Sequence, residues 1–424
     1  MLFTLAIIAG RLIRFAVRMV RPGGGSALPG LVLSKMAPGL LTKVFSGFDR
    51  GLVIITGSAG KSTTTKMVVA IVRAHGMSVF TNPSTANIEQ GFFSSILERS
   101  NLAGKVAADI AIIEMDESHA ASIVKRVKPR FVTILNVLED QLDRFGDPAN
   151  VRNDLGRVAE AAIEGIALNA DDQNLLLMLA EGDVEAKVSW FGLNQALLNT
   201  ARAGLGTAPT YLEPLERPDS ATTGAALHEN QLEVDLGSGR MIHVSLPNRG
   251  LHFAVDSVAA LETAKRLLGS RFDGHLAAKV LSELPPVFAR GELKAVGNEM
   301  VEFILVQNPP SFQLNLDNLT TDPEQIMLAI GTDVHDPSWM WTVDLKNLSH
   351  VDIVSGYNSE EAALLLAYSE IPVGAVVGDL DEALSAFLAL PKPSRGVKTI
   401  IFSADSMRRT RRALGFTDPE DVKR

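Results

Sequence analysis

Short apolar runs alternate with segments of helical period from residue 49 to about residue 270. Leu52–Thr56, Ser78–Thr81, Ile110–Glu114, Phe131–Leu135 and Ile166–Asn169 are brief and rich in β-branched residues, which predicts strands. The helical segments between them predict a mostly parallel sheet covered on both faces. In such a sheet ligands gather at the carboxyl ends of the strands. Between 191 and 248 the pattern loosens. Gly, Thr, Pro and Ala become frequent, and Gln231–Leu236 and Met241–Leu246 alternate, so a small antiparallel β insertion is expected there. Ala254–Leu268 has the period of an amphipathic helix that closes the domain. A second α/β unit starts near residue 271, with strands expected at Val301–Val306, Gln325–Ile330, Val351–Val354 and Thr399–Phe402. The fold class is therefore α/β, with a helical arm over 1–48, a main domain over 49–270 and a smaller α/β domain over 271–424.

In the arm, Pro22-Gly-Gly-Gly25 and Leu28-Pro-Gly30 read as helix breaks. Arg11, Arg14, Arg18 and Arg21 recur at helical spacing and share one face. The expected arrangement is a helix packed on its own domain with a solvated arginine stripe; a basic amphipathic helix lying on an anionic membrane surface is the other reading. No run reaches the roughly 20 apolar residues of a spanning helix. The apolar start has no basic region before it and arginines after it, the reverse of a signal peptide. Arg408-Arg-Thr-Arg-Arg412 reads as a solvated helix face.

Composition narrows the chemistry. A chain of 424 residues has room for two or three domains. A net charge of −9 argues against nucleic acid as a partner. There is no cysteine, which excludes disulfides, thiolate metal sites and a cysteine nucleophile in this chain, and fits a cytoplasmic setting. The eight histidines are scattered without metal-ligand spacing.

The densest chemistry lies at Leu52-Val-Ile-Ile-Thr-Gly-Ser-Ala-Gly-Lys-Ser-Thr-Thr-Thr65. A buried strand stops at Gly57, turns through small residues and enters a helix at Lys61-Ser62-Thr63. Glycines let backbone N–H groups approach an anion, the helix end adds partial positive charge, and Lys61 can reach the outer phosphates of a nucleotide. Ser62 supplies a hydroxyl for Mg²⁺. The loop is compact: only two residues separate Gly57 from Gly60, where the common form has four before its Gly-Lys. Three further clusters follow strands: Glu114-Met-Asp-Glu117, the stretch from Asn136 to Gly146, and Asn169-Ala-Asp-Asp172. Each alone reads as a cap or turn, but three in one domain point to a shared site.

Together with Asn82-Pro-Ser-Thr-Ala-Asn87 and Asp140-Gln-Leu-Asp-Arg-Phe-Gly146, these motifs resemble the central domain of the Mur ligases. The closest resemblance is to the MurT branch of that family. It is carried by the Asp-Gln-Leu-Asp-Arg version of the fourth motif, by Gly23-Gly-Gly-Ser-Ala-Leu-Pro-Gly30, and by Arg290-Gly-Glu292, Leu305-Val-Gln-Asn-Pro309, Asp336-Pro-Ser-Trp-Met-Trp341 and Ser355-Gly356. The resemblance implies ATP-dependent amidation of the D-glutamate α-carboxylate of lipid II through an acyl phosphate. The lipid-linked substrate sets the work at the inner membrane surface, with the protein cytoplasmic or peripheral there. It implies ATP and Mg²⁺ as cofactors, and a GatD-type glutaminase subunit as partner in a heterodimer. Gly57, Gly60, Lys61, Ser62, Thr63, Asn136, Asp256 and Arg290 would hold the nucleotide. Ser62, Glu114 and Ser84 are the metal candidates. Lys61 and Glu114 are the catalytic candidates in the first domain, and Asp336 would orient the partner's histidine.

Against the family pattern, the four-cysteine zinc ribbon of the insertion is impossible here, so no zinc is expected. Phe253 and Asp256 stand at asparagine positions, Gln307 at a lysine, Asn358 at an arginine and Thr342 at an aspartate. A scaffold for the glutaminase that has lost catalysis, or another Mur-type amino-acid ligase, stay open as alternatives at this point.

Overall fold

A computed structural model describes residues 2–20, 27–83, 87–138, 147–201, 204–246, 250–284, 290–317, 319 and 323–416. Strands β1 (Leu52–Thr56), β2 (Val79–Phe80), β3 (Ile110–Glu114), β4 (Phe131–Ile134), β5 (Gly165–Asn169) and β6 (Lys187–Leu193) form one sheet with β7 (Thr222–His228), β8 (Gln231–Asp235) and β9 (Met241–Ser245). Their order is β2-β3-β1-β4-β5-β6-β7-β8-β9. Pairing is parallel from β2 to β7 and antiparallel from β7 to β9. The stretch expected as a small antiparallel insertion is antiparallel over β7–β9 and joins the main sheet, since β7 pairs with β6.

All five residues of β1 are buried, which is why its apolar run is unbroken. Its side chains alternate: Leu52 and Ile54 face one core, Val53 and Ile55 the other. The first core is completed by α1 (Leu2–Val20), α2 (Ala27–Met36), α3 (Gly39–Phe45), and α5 (Glu89–Arg99) and α6 (Glu117–Ile123). The second holds α4 (Lys61–Ala74) and the helix Leu251–Leu268. That last helix starts three residues before the expected Ala254, at the turn of Gly250.

The N-terminal arm corrects two expectations. Leu28-Pro-Gly30 does not break a helix but lies in the first turn of α2, where proline is tolerated. Gly30 is there for contact, since a Cβ on it would sit 1.9 Å from the carbonyl oxygen of Gln90. Of the arginine stripe, Arg11 and Arg14 are not simply solvated; the side chain of Arg18, and Arg21 with the Pro22-Gly-Gly-Gly25 break, lie outside the described residues. Arg11 donates to the carbonyls of Leu97 and Ser100, and Arg14 pairs with Glu98 at 2.8 Å.

The second sheet runs β10-β11-β15-β12-β13-β14, from Arg290–Val296, Glu299–Leu305, Lys398–Phe402, Ile326–Ala329, Val351–Ser355 and Val373–Val377 respectively. β10 and β11 form an antiparallel hairpin and the remaining pairs are parallel. β10 and β14 were not among the expected strands. In the helix Ala404–Ala413 the arginine run is only partly solvated. Arg411 is buried and pairs with Glu292 of β10 at 2.7 Å, and its guanidinium lies over the Phe416 ring.

Candidate active site

β1 lies between β3 and β4, so chain direction out of the sheet divides at its carboxyl end. A crevice opens at such a switch point. The loop Gly57–Gly60 fills the turn into α4, with Glu114 at the end of β3 on one side and Asn136 beyond β4 on the other. Backbone geometry requires both glycines. Gly57 has φ 126°, and a Cβ there would meet the Asn136 nitrogen at 2.9 Å; Gly60 has φ 81°, and its Cβ would lie 2.2 Å from Asp256 Oδ1.

Asn136 acts as the clamp of this loop. Its carbonyl accepts from Ser58 N at 3.0 Å. Its side chain accepts from Ala59 N at 2.8 Å and donates to the Ala59 carbonyl at 3.3 Å. Leu138 N donates to Ser58 Oγ at 3.1 Å. Behind it stands Asp172, fully buried, accepting from Val137 N at 2.7 Å and Asn174 N at 2.9 Å. Burial pushes the Asp172 carboxyl up to about 6, against the pull of those hydrogen bonds.

On the other flank the charges meet. Lys61 Nζ donates to the carbonyls of Gly57 and Ser58 and pairs with Glu117 Oε1 at 3.2 Å. Ser62 Oγ donates to Glu114 Oε1 at 2.9 Å. Burial alone would lower the Lys61 ammonium's pKa; Glu117, Glu114 and Asp116 outweigh it and hold it raised. Lys61 is thus a charged cation, folded back over its own loop and pointed at carboxylates. Asn82 fixes the strand end that carries Glu114, accepting from Glu114 N and donating to its carbonyl, each at 3.0 Å. Asp116 caps α6 by accepting from His119 N.

The sequence-predicted residues divide accordingly. Gly57, Gly60, Lys61, Ser62, Glu114, Asn136 and Asp256 come together; Asp256 accepts from Thr64 Oγ1 at 3.3 Å beside Gly60. Thr63 is fully buried, which leaves its backbone N–H as the group at the loop. Arg290 pairs through its backbone with Ile304; its side chain, Ser84 and the Asp140-Gln-Leu-Asp-Arg motif lie outside the described residues. Glu117 was not among the predicted site residues. Its signal was its place three residues beyond Glu114, where α6 turns it back toward Lys61. Ser62 and Glu114 are hard oxygen donors at the mouth of a phosphate loop, a donor pair that fits Mg²⁺ shared with nucleotide phosphates. Among the described residues no group of three or more His, Cys, Asp or Glu side chains is gathered as a metal site of its own.

A cavity of about 80 Å³ adjoins the loop. Gly60, Asn136 and Asp256 line it from the first sheet's side, and Leu305, Gln307 and Asn315 from the second. Gln307 and Asp256, two of the departures from the family pattern, thus share the cavity beside the loop. Phe253, Thr342 and Asn358 do not line it. Phe253 is packed in the core. Thr342 Oγ1 donates to the Trp339 carbonyl. Asn358 is buried and donates to the carbonyls of Gly331 at 3.1 Å and Val334 at 2.8 Å. It clamps the loop that leads to Asp336. Asp336 itself is exposed and accepts from Ser338 N at 2.9 Å, capping the short helix Pro337–Thr342. Hydrogen bonding from the Ser338 side chain, and then from its backbone N–H, holds the Asp336 carboxyl below the usual range.

Comparison with known proteins agrees with this architecture. The family model for the Mur ligase middle domain matches residues 55–209, and that for the MurT ligase C-terminal domain matches residues 305–402. The lipid II isoglutaminyl synthase (glutamine-hydrolyzing) subunit MurT of Streptococcus pneumoniae is 25% identical over 387 residues, covering 82% of each chain. Its counterpart from Staphylococcus aureus (strain COL) is 31% identical over 167 residues, 39% of this chain and 37% of that one. Among solved structures, the pseudomurein peptide ligase type C of Methanothermus fervidus aligns with a TM-score of 0.65 at 17% identity, over 88% of this chain and 80% of that one. MurF ligase from Thermotoga maritima in complex with ADP aligns with a TM-score of 0.64 at 19% identity, over 93% and 84%.

Proposed function

Because the chain belongs to the Mur ligase family of ATP-dependent ligases, with its middle domain followed by a MurT-type C-terminal domain, we propose that it amidates a carboxylate of lipid II. The carboxylate is the α-carboxylate of D-glutamate in the stem peptide. A carboxylate resists amines because its leaving group would be oxide. Transfer of the γ-phosphoryl of ATP to it gives an acyl phosphate and ADP; ammonia then attacks the carbonyl, and inorganic phosphate leaves as D-isoglutamine forms. Backbone N–H groups around Gly57–Thr63 hold the phosphate chain, and Lys61 swings from Glu117 onto the transferring phosphoryl to offset its charge. Ser62 and Glu114 would hold Mg²⁺, which supplies further charge neutralisation when bound.

Ammonia must come from outside this chain if glutamine is its source. Glutamine hydrolysis of this kind runs on a cysteine nucleophile, and there is none here. A GatD-type glutaminase subunit is the proposed partner, with Asp336 orienting its histidine. The lipid-linked substrate sets the reaction at the inner face of the membrane. Among the described residues no helix is long and apolar enough to cross one.

The observation that carries this reading is the Lys61–Glu117 and Ser62–Glu114 pairing around the compact loop, which keeps a cation and two metal-type oxygens ready. Lys61→Ala tests it in a reconstituted pair with lipid II, glutamine and Mg-ATP. Amidation should fall by about 10³-fold or more, with glutamine hydrolysis by the partner retained. Unchanged amidation would overturn the assignment of the site to Lys61 and its loop.

A further inference from the structure

Helix α1 is turned the opposite way from the arrangement its arginine spacing suggests. Ala6 and Ile7 are buried, and Arg11 and Arg14 are engaged with the last turn of α5 and Ser100 beyond it. The outward stripe is Leu5, Ile8, Leu12 and Phe15, exposed by 57%, 40%, 64% and 65%. Steps of three, four and three residues put all four on one face. Ala9 and Ala16 are the small residues beside them, so no polar side chain interrupts the stripe. Met36 of the neighbouring α2 is exposed as well. An unbroken apolar stripe turned to water marks a contact surface rather than a scatter of surface leucines.

Charge selects the occupant. Residues 1–48 carry Arg11, Arg14, Arg18, Arg21, Lys35 and Lys43 and no Asp or Glu, in a chain whose net charge is −9. Lys35 and Lys43 are exposed. Apolar stripe and basic surround belong to one short arm, while the excess of acid lies elsewhere. An anionic lipid surface matches both at once: acyl chains take the stripe and headgroups meet the exposed cations of the arm, Lys35 and Lys43, while Arg11 and Arg14 hold α1 to α5. We propose that α1 docks this protein in the plane of an anionic phospholipid bilayer, with Leu5, Ile8, Leu12 and Phe15 entering the acyl boundary.

The placement has a geometric consequence. α5 carries α1 on its C-terminal turn, and just before its other end the Asn87 carbonyl accepts from Asp116 N beside the Lys61 cluster. Eleven residues of helix span about 16 Å. A docked α1 would thus hold the phosphate loop at a fixed height above the headgroups. The proposal deepens the reading of a lipid-linked substrate and rests on it for the choice of membrane, but it is read by binding alone, with no amidation measured.

The test is cosedimentation of the full chain with vesicles of phosphatidylcholine alone and of phosphatidylcholine with phosphatidylglycerol. Binding should require the anionic lipid and weaken between 50 mM and 500 mM salt. The double substitution Leu12→Ser with Phe15→Ser should cut partitioning at least tenfold while leaving the melting temperature within a few degrees, because both side chains are already in water. Leu5→Ser with Ile8→Ser should do the same, which guards against a misfolded variant. Failure of the wild-type chain to bind anionic vesicles would overturn the proposal. So would equal binding by the serine variants, or a self-association of the wild type that the serine variants abolish in the absence of lipid.

Discussion

Asp172 shows how one buried carboxyl ties the loop to pH. It receives two backbone N–H groups, yet its burial holds its pKa at about 6, above the ordinary value near 4. A group raised in the folded state stabilises the fold when protonated. Its contribution is fully present below about pH 4 and is lost as pH rises through about 6. Over that window the loss amounts to about 3 kcal/mol. Asp172→Asn cannot titrate, so the stability of the wild type relative to this variant should decline by roughly that amount between pH 4 and pH 7. Urea unfolding of both proteins across the range reads it; parallel profiles would mean the carboxyl is ionised without cost. Residue-level roles were only partly legible in the sequence. The glycines, Lys61 and Ser62 announce themselves because a phosphate loop needs those types in order. Asn136 as a two-sided clamp and Asp172 behind it depend on which strands become neighbours, and spacing along the chain does not carry that; Glu117 left a signal in its spacing from Glu114 but reaches Lys61 only because β3 lies beside β1.

At the scale of elements, central parallel strands were legible because burial on both faces makes them continuous apolar runs, as in Leu52–Thr56. β10 was not, since Arg290-Gly-Glu-Leu-Lys294 is polar and gains its place from the hairpin with β11. β14 was missed for a related reason: it is an edge strand with Gly374, Ala375 and Val376 exposed, so no core dictates its pattern. The loop after β12 is the element with most to test. Asn358 holds its carbonyls, and Asp333 accepts from Ser403 Oγ, Ala404 N and Asp405 N, pinning it to the start of the helix Ala404–Ala413. Asp336 then stands on a rigid base with its carboxylate in the open. Asp336→Asn should lower glutamine-driven amidation by about 10²-fold or more while ammonium-driven amidation stays near wild type. Loss of both activities would assign Asp336 to the synthetase site instead. Asn358, read from sequence as a missing cation, should behave as a support: Asn358→Ala should weaken the same glutamine-driven activity and also lower the melting temperature, a pairing Asp336→Asn does not share.

For the whole molecule, the informative feature is that the cavity beside the phosphate loop takes walls from both sheets. A nucleotide seated there would touch Gly60 and Asn136 on one side and Gln307 and Asn315 on the other. Binding energy then enters the contact between the two units as well as the loop itself. At a concentration about 100 times its Kd, a ligand that binds only the folded state adds about 2.7 kcal/mol. If the nucleotide bridges the units, Mg-ATP should slow amide exchange in residues 305–315 together with residues 57–64. If it sits on the loop alone, protection should stop at the first domain, and Gln307 would have no part in it. The substitution Gln307→Lys sharpens the contrast. Restoring a cation to that wall should tighten Mg-ATP binding and extend protection in 305–315, since a charge-assisted contact to phosphate is stronger than a neutral one. Unchanged affinity and unchanged exchange in that variant would place the second unit outside nucleotide binding and confine its role to the surface around Asp336.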